Sequence, residues 1–295
     1  MPSLKAIRKR IASVKNTKKI TSAMKLVAAA RLRRAQDAIV SARPYANRLV
    51  EVIADLAARV GEEGHPLLAA RPEKQRIALI ILTSDRGLCG GFNSNVLRRT
   101  ERFLIDNKER FPEIDLLVMG RKGREYMRRR PAMRMKEEWP AAQTSAAALS
   151  VSREMAKIAT ERFLLGSEEG GYDAVYLVYN EFKSAISQHT TVAPLLPVER
   201  APLDPDAGMN DFAYEPSRTE VLSTIVPMYI QVQIYRALLE TVAGFFGAQM
   251  SAMDSATKNA AEMIGSLTLQ FNRARQAAIT KELMEIVGGA EALKG

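Results

Sequence analysis

Negative charge is missing from the start of this chain. The first 36 residues contain no Asp and no Glu, yet they carry eleven Lys and Arg side chains. Because the whole chain of 295 residues has a formal net charge of +10, the remainder is close to neutral. Such a concentrated basic segment indicates one surface that meets an acidic partner: nucleic acid, membrane or protein.

Aromatic residues are missing from positions 1–44 as well. Nucleic-acid grooves use aromatic rings for base stacking, and a membrane-surface helix needs bulky Trp or Phe side chains. The basic segment therefore favours a protein partner, and a basic α/β nucleic-acid-binding protein with a coiled-coil arm is the alternative. No apolar run is long enough to span a bilayer, and the recurring Lys and Arg residues argue against a secretory signal.

Cysteine and histidine are scarce. The single Cys89 excludes an intrachain disulfide and is typical of a reducing compartment. His65 and His189 are far apart in sequence, so no zinc site is expected. Without a second Cys or a nearby His, Cys89 is expected to be a buried, inert thiol, and His189 to be structural.

A glycine-rich turn, Ser84-Asp-Arg-Gly-Leu-Cys-Gly-Gly-Phe-Asn93, follows one strand pattern and precedes a helix pattern. Such a turn can hold phosphate on helix N–H groups, which leaves a nucleotide-binding enzyme as a further alternative. The spacing matches neither G-x-G-x-x-G nor the phosphate-binding loop. We therefore expect a tight turn packed closely against the sheet.

Apolar residues of the N-terminal segment, residues 1–60, follow a heptad pattern that is typical of a coiled-coil seam. The pattern comprises Leu4, Ile7, Ile11, Val14, Leu32, Ala35, Ile39, Ala42, Ala46, Leu49, Ile53, Leu56 and Val60. Between its two runs the seam positions are Lys18, Thr21, Lys25 and Ala28, while Ile20, Met24 and Val27 lie on the neighbouring stripe. This shift predicts that the helix changes its packing partner there, and Pro44 predicts a bend or a weakened turn.

The C-terminal segment, residues 217–288, repeats the heptad pattern. Ser217 and Glu220 form a capping box at its start. The seam positions are Val232, Tyr235, Leu239, Val242, Phe246, Gln249, Met253, Ala256 and Ala260, followed after a one-residue shift by Ile264, Leu267, Phe271, Ala274 and Ala278. The natural partner for this seam is the N-terminal helix, running antiparallel.

The middle of the chain, residues 75–197, alternates strand and helix patterns, which indicates a mostly parallel sheet covered by helices. We expect strands at 76–83, 114–119, 173–179 and 190–196, with helices at 93–110, 121–130 and 144–165. Residues 198–216 are rich in Pro, Asp and Gly and form a connection. The predicted fold class is α/β, a Rossmann-like domain with a long antiparallel coiled coil.

Three stretches resemble the gamma subunit of F-type ATP synthases. They are Ile20–Arg31 (ITSAMKLVAAAR), the turn Ser84–Asn93, and the C-terminal pair of stretches Met253–Asn259 (MDSATKN) and Leu267–Ala290. The similarity spans the whole chain, and the C-terminal stretch is highly specific.

The resemblance implies a role as the central rotor shaft, one copy per complex, with the coiled coil inside a hexamer of alternating alpha and beta subunits. It implies that the α/β domain lies against epsilon and the membrane c-ring, and that the shaft couples proton translocation to ATP synthesis or hydrolysis and regulates ATPase activity. Catalysis would belong to beta, so no catalytic, cofactor-binding or metal-binding residue and no nucleic-acid partner are expected. The short lead before Ile20 favours a bacterial protein at the cytoplasmic face of the cell membrane.

The resemblance also implies particular contacts with beta. Residues near acidic loops of beta would be Met24, Lys18, Lys19 and Lys25. Polar contacts of the C-terminal helix with a beta loop would come from Arg275, Gln276, Thr280 and Glu282. Gln249 departs from the family, which commonly has Arg just before Met250, so any contact of that Arg is in doubt here.

Overall fold

The computed structural model describes residues 3–60, 65–71, 74–130, 134–198, 215 and 217–292. Five α-helices, one short 3₁₀ turn and five strands follow one another in these residues. The helices are α1 (Leu4–Val60), α2 (Phe92–Asp106), α3 (Arg121–Arg128), α4 (Ser145–Leu165) and α5 (Arg218–Ala292), and the 3₁₀ turn is Pro66–Leu68. The strands are β1 (Arg76–Leu82), β2 (Glu113–Met119), β3 (Arg134–Trp139), β4 (Ala174–Phe182) and β5 (Gln188–Leu196).

The strands form one sheet in the order β3-β2-β1-β4-β5. β1 pairs in parallel with β2 and β4, and β2 pairs in parallel with β3. β5 is the exception, because it returns from β4 as an antiparallel hairpin. The predicted mostly parallel, helix-covered sheet is therefore confirmed.

The centre of the sheet is apolar because β1 is covered on both faces. Every residue from Ile77 to Leu82 is fully buried, as the continuous apolar run in the sequence predicts for a central parallel strand. Phe103 and Phe111 stack 6.3 Å apart against one face, and Phe163 is fully buried in α4. This core holds the carboxyl ends of the strands in fixed positions.

Several predicted element ends are confirmed by hydrogen bonds. Thr144 caps α4 by accepting the backbone N–H of Ala147 at 3.2 Å. Ser217 caps α5 by accepting the N–H of Glu220 at 3.3 Å, as expected of the capping box. α1 continues through Pro44 without a break in its helical assignment. Residues 61–64, which follow the N-terminal segment, and nearly all of the connection at 198–216 lie outside the described residues.

The sequence gives no expectation for β3, which is the one strand missing from the sequence-based set among the described residues. Its sequence, Arg-Met-Lys-Glu-Glu-Trp, is half-exposed at the sheet edge and strongly charged. Charged residues are common on edge strands, since they discourage pairing with other chains. Parallel pairing with β2 holds this charged segment in the sheet.

The chain divides into two compact units. The helical-pair unit contains residues 1–28 and 250–295, and the sheet unit contains residues 29–249. The sheet unit includes all five strands, α2, α3 and α4, with the adjoining parts of α1 and α5.

Candidate functional site

The helical-pair unit consists of two antiparallel helices. Residues later in α1 contact residues earlier in α5, as in an antiparallel pair. Arg8 lies 5.6 Å from the centre of the Phe271 ring, and the Thr257 hydroxyl donates to the Thr21 hydroxyl at 2.8 Å. The predicted antiparallel coiled coil is confirmed in this unit.

The seam of this unit does not change face where the sequence suggested. Thr21 and Ala28 remain buried, with 8% and 0% exposure, and both keep the original heptad phase. Ile20 and Val27, expected to take over the packing, are instead 60% and 53% exposed. The expected change of partner is therefore wrong, because the polar seam positions find polar partners on α5.

Lys25 and Asp254 supply the main polar contact in this stretch. The Lys25 ammonium lies 2.6 Å from Asp254 Oδ1, and Lys258 lies 2.9 Å from Oδ2 of the same carboxylate. Hydrogen bonds from these two lysines hold the pKa of Asp254 below its ordinary value. The seam therefore continues through the Lys25–Asp254 ion pair, where charged side chains take the place of apolar ones.

The N-terminal candidate residues occupy different environments. Lys18 and Lys19 are exposed, and Met24 is half-buried. Lys25 is 42% exposed at its side chain but is already paired with Asp254. With the exposed Ile20 and Val27, the described surface around Met24 combines cations with apolar atoms.

The C-terminal candidate residues lie together on the end of α5. Arg275, Gln276, Thr280 and Glu282 are all exposed. They share this part of the helix with exposed large apolar side chains that the sequence reading did not single out. These are Ile279 at 48% exposure, Leu283 at 57%, Met284 at 67%, Ile286 at 68% and Val287 at 60%.

These five exposed apolar residues indicate an interaction surface more strongly than the polar residues that lie between them. Surfaces of monomeric proteins seldom carry contiguous large apolar groups, and such patches mark interaction sites. The signal was present in the sequence, since the five residues fall after Ala278, where the heptad pattern stops. An apolar cluster that lies beyond the end of the coiled-coil seam predicts contact with another protein chain.

Within the sheet unit, the glycine-rich turn is closed by its own side chains. The Asn93 carboxamide oxygen accepts the backbone N–H of Ser84 at 2.9 Å, and its nitrogen donates to Ser84 Oγ at 2.9 Å. Cys89 is 2% exposed, which confirms the expected buried thiol, and burial raises its pKa. Phe92 is also 2% exposed, whereas an added Cβ on Gly87 or Gly90 would meet nothing within 4 Å, so the turn packs through its side chains and not through these two glycines. Gly90 instead supplies a positive φ of 55°.

A groove of about 900 Å³ opens in the sheet unit between α1, α4 and α5. Apolar groups line most of it, including Ile39, Tyr45, Leu149, Met228 and Val232. Tyr45 and Met228 are 54% and 41% exposed, so the groove presents apolar surface to its surroundings. This groove is a second candidate interaction surface.

Chemical sites are not apparent in the described part of the chain. No group of three or more His, Cys, Asp or Glu residues there could hold a metal ion. None of the helices searched in those residues has an apolar stretch suited to crossing a membrane. His189 is exposed and lies opposite Glu181 in the β4–β5 ladder.

The fold and its exposed faces define a coiled-coil stalk protein that carries an α/β domain. A family model described as ATP synthase matches residues 3–293. The ATP synthase gamma chain of Anaeromyxobacter sp. (strain Fw109-5) is 53% identical over 298 residues, covering 100% of both chains. The gamma chain of Geobacter sp. (strain M21) is 48% identical over 295 residues, again covering 100% of both. The chain belongs to the ATP synthase gamma chain family.

Solved structures agree with this fold. A chain from the Euglena gracilis mitochondrial ATP synthase rotor, in rotational state 1, matches with a TM-score of 0.65 at 16% identity, covering 94% of this chain and 98% of that chain. A chain from the central stalk and c-ring of the Tetrahymena thermophila mitochondrial enzyme matches with a TM-score of 0.56 at 25% identity, covering 80% and 99%.

Proposed function

We propose that this chain is the central rotor shaft of an F-type ATP synthase, present in one copy per complex. The shaft couples proton translocation to ATP synthesis or hydrolysis at sites on beta, and its orientation regulates ATPase activity. Its partners are the alpha and beta subunits, epsilon and the membrane c-ring. It works at the cytoplasmic face of the bacterial cell membrane, without a cofactor or catalytic residue of its own.

The observation that carries this proposal is the exposed end of α5. Residues 279–287 present five large apolar side chains to solvent, which a helix tolerates when another protein surrounds it. The cations of the acid-free segment reinforce it, since all but Lys25 are exposed. A surrounding head of alpha and beta with acidic loops would match both features.

The groove in the sheet unit supports further partners. Its apolar lining and its volume of about 900 Å³ suit a packed protein segment. On this proposal, epsilon or the c-ring covers part of this surface. The relatives bear the name ATP synthase gamma chain, and the similar Tetrahymena structure is of a central stalk with a c-ring.

Co-expression with alpha and beta tests the proposal directly. We expect a stable complex with one copy of this chain and no affinity of the isolated chain for ATP or for DNA. A chain lacking residues 279–295 serves as the comparison, and it should assemble less well because the apolar end is gone. Salt-sensitive DNA binding without assembly would favour the nucleic-acid alternative, and ATP binding by the isolated chain would favour the enzyme alternative.

Met24→Lys tests the interface at the N-terminal signature. An added cation beside acidic loops of beta should hold the shaft at one angle and let hydrolysis outpace proton pumping. The measurement is protons pumped per ATP hydrolysed in membrane vesicles, with Met24→Leu as the matched control. An unchanged ratio for the lysine variant would remove Met24 from the interface.

Charge reversal tests the flanking lysines, and the structure sharpens its design. Reversing Lys18, Lys19 and Lys25 together should weaken coupling or assembly. Because Lys25 pairs with Asp254, its reversal also disrupts the helical pair. The Lys18→Glu, Lys19→Glu double variant isolates the outward-facing charges, and normal ATP synthesis in that variant would contradict their role.

A further inference from the structure

The tip of the β4–β5 hairpin holds α5 at three successive turns. The holding residues on the hairpin are Phe182, Ala185 and Gln188, and those on the helix are Glu240, Gly244 and Gly247. We call these six residues the hairpin clamp. All of them belong to the sheet unit.

Two polar contacts lie at one side of the clamp. Gln188 Nε2 donates to the backbone carbonyl of Gly244 at 2.7 Å. Glu240 Oε2 accepts the backbone N–H of Phe182, the last residue of β4, at 3.4 Å. Both contacts link the hairpin to α5, and each joins a side chain of one element to a backbone group of the other.

Glu240 is a buried acid with a defined geometry. It is 5% exposed, and its second carboxylate oxygen lies 3.0 Å from Nε of Arg236. Burial of a carboxylate is costly unless it is paired and hydrogen-bonded. Arg236, one turn earlier on α5, and the Phe182 N–H supply those partners, so moving the hairpin away would remove one of the two.

Two glycines let the helix come close. An added Cβ on Gly247 would lie 3.1 Å from backbone atoms of Ala185, and one on Gly244 would lie 3.2 Å from the Phe92 ring. Positions 240, 244 and 247 lie on one helix face. A slip by a single residue would bring Phe245 to the place of Gly244, where there is no room for a ring.

We propose that the hairpin clamp fixes the angular and axial register of α5 on the sheet, and that Gln188, Glu240 and Gly247 are positioning residues for torque transfer. This inference rests on the proposed rotor function. Turning force on the sheet unit would reach α5 through the clamp, since packing of apolar side chains alone permits small slips. The tight turn at the hairpin tip suits this role, because Ser184 Oγ accepts the N–H of Ser187 at 3.0 Å.

The test uses the assembled complex with two clamp variants, one control and one rescue variant. Gln188→Leu removes the donor and keeps the bulk, and Gly247→Val inserts a branched side chain against the Ala185 backbone. Gly265→Val is the matched control for hydrogen exchange, because Gly265 lies in the same helix and an added Cβ there meets nothing within 4 Å. If Gly247→Val does not assemble, Gln188→Leu carries the test alone.

Three readouts separate positioning from simple stability. Amide hydrogen exchange at residues 240–248 should rise about fivefold for Gln188→Leu, as expected for one lost hydrogen bond, and should be unchanged for the control. Protons pumped per ATP hydrolysed should fall, and the angular fluctuation of a bead on the sheet unit should widen. Gln188→Lys, which restores a donor, should return the exchange rate, the pumping ratio and the bead fluctuation to those of the unmodified complex.

Two results would overturn the proposal. One is faster exchange in the Gln188→Leu complex with unchanged pumping and unchanged bead fluctuation, which would make the clamp purely structural. The other is exchange that does not change at all. Failure of the unmodified chain to assemble with alpha and beta would instead overturn the proposed function, so the two failures are distinguishable.

Discussion

Removing the charge of Asp115 should destabilise the sheet unit strongly. Asp115 is 1% exposed on β2, between two arginines of the neighbouring strands. Arg76 donates to Asp115 Oδ2 from Nη2 at 2.9 Å and from Nε at 3.1 Å. On the other side, Arg134 Nε lies 3.2 Å from Oδ1, although Oδ1 accepts no hydrogen bond within the described residues. The carboxylate thus ties β1, β2 and β3 together at their amino ends.

The size of the effect follows from what Asp115→Asn leaves behind. The Arg76 side chain is 16% exposed, so its charge stays largely buried. Its remaining neighbours are Glu113 at 3.5 Å and the Gly170 carbonyl at 3.3 Å. Breaking one half of a buried pair costs about 3 kcal/mol in unfolding free energy, which corresponds to a Tm lower by about 6–12 °C. Arg134 is 46% exposed and adds little, because solvent screens it.

Thermal unfolding of the full chain, followed by circular dichroism at pH 7, measures this effect. Glu113→Gln is the matched control, since Glu113 contacts the same two arginines but is 48% exposed. The control should change the unfolding free energy by less than about 1 kcal/mol. If Asp115→Asn and Glu113→Gln lower the Tm equally, burial does not set the strength of this contact and the reasoning fails.

Two further predictions concern ionisation and reactivity. Burial alone would raise the pKa of Asp173, but hydrogen bonds from the Arg76 backbone, Ser167 and Arg71 outweigh it and lower the pKa below 3.8. Its stabilisation is therefore present above that pH and is lost as pH falls through the lowered pKa, so urea midpoints should drop less steeply below pH ~5 for Asp173→Asn; parallel curves would contradict this. Cys89, which is 2% exposed with its pKa raised by burial, should react with a disulfide reagent at least ~100-fold more slowly in the native chain than in urea. Equal rates would show that the turn opens freely.

The seam of the helical pair shows where sequence reasoning succeeds and where it stops. Heptad spacing correctly predicts buried Ile7 and Leu267, and the predicted antiparallel pairing is confirmed. It fails between Lys18 and Ala28, because a periodic pattern counts polar residues as breaks. Thr21 and Lys25 are complementary to Thr257 and Asp254 on the other helix, and such complementarity becomes visible only once the register is known.

The sheet shows a different limit. The sequence predicts a strand at 76–83, and β1 is Arg76–Leu82. The prediction succeeds because a short continuous apolar run is typical of a buried strand. The apolar residues after Ala278 are visible in the sequence, but the sequence alone indicates only that they belong to the C-terminal helix. Their importance depends on exposure, which spacing alone does not give. The hairpin clamp is likewise not visible in the sequence, since its contacts join positions at least 56 residues apart.

The position of α5 also bears on the enzyme alternative raised by the glycine-rich turn. Doubly wound sheets bind ligands in the crevice at the carboxyl ends of their central strands, where the strand order reverses. Here that reversal lies between β1 and β4. Asn180 at the end of β4 donates to the Phe92 carbonyl at 3.0 Å, and the Phe92 ring packs edge-on against Phe245 of α5 at 5.9 Å. A cavity of about 40 Å³ remains between this edge and α5, lined by residues that include Ser84, Thr241 and Phe245. Small-molecule sites usually measure roughly 300 Å³ or more. The cavity is therefore too small for a nucleotide, which argues against the enzyme alternative at this edge of the sheet.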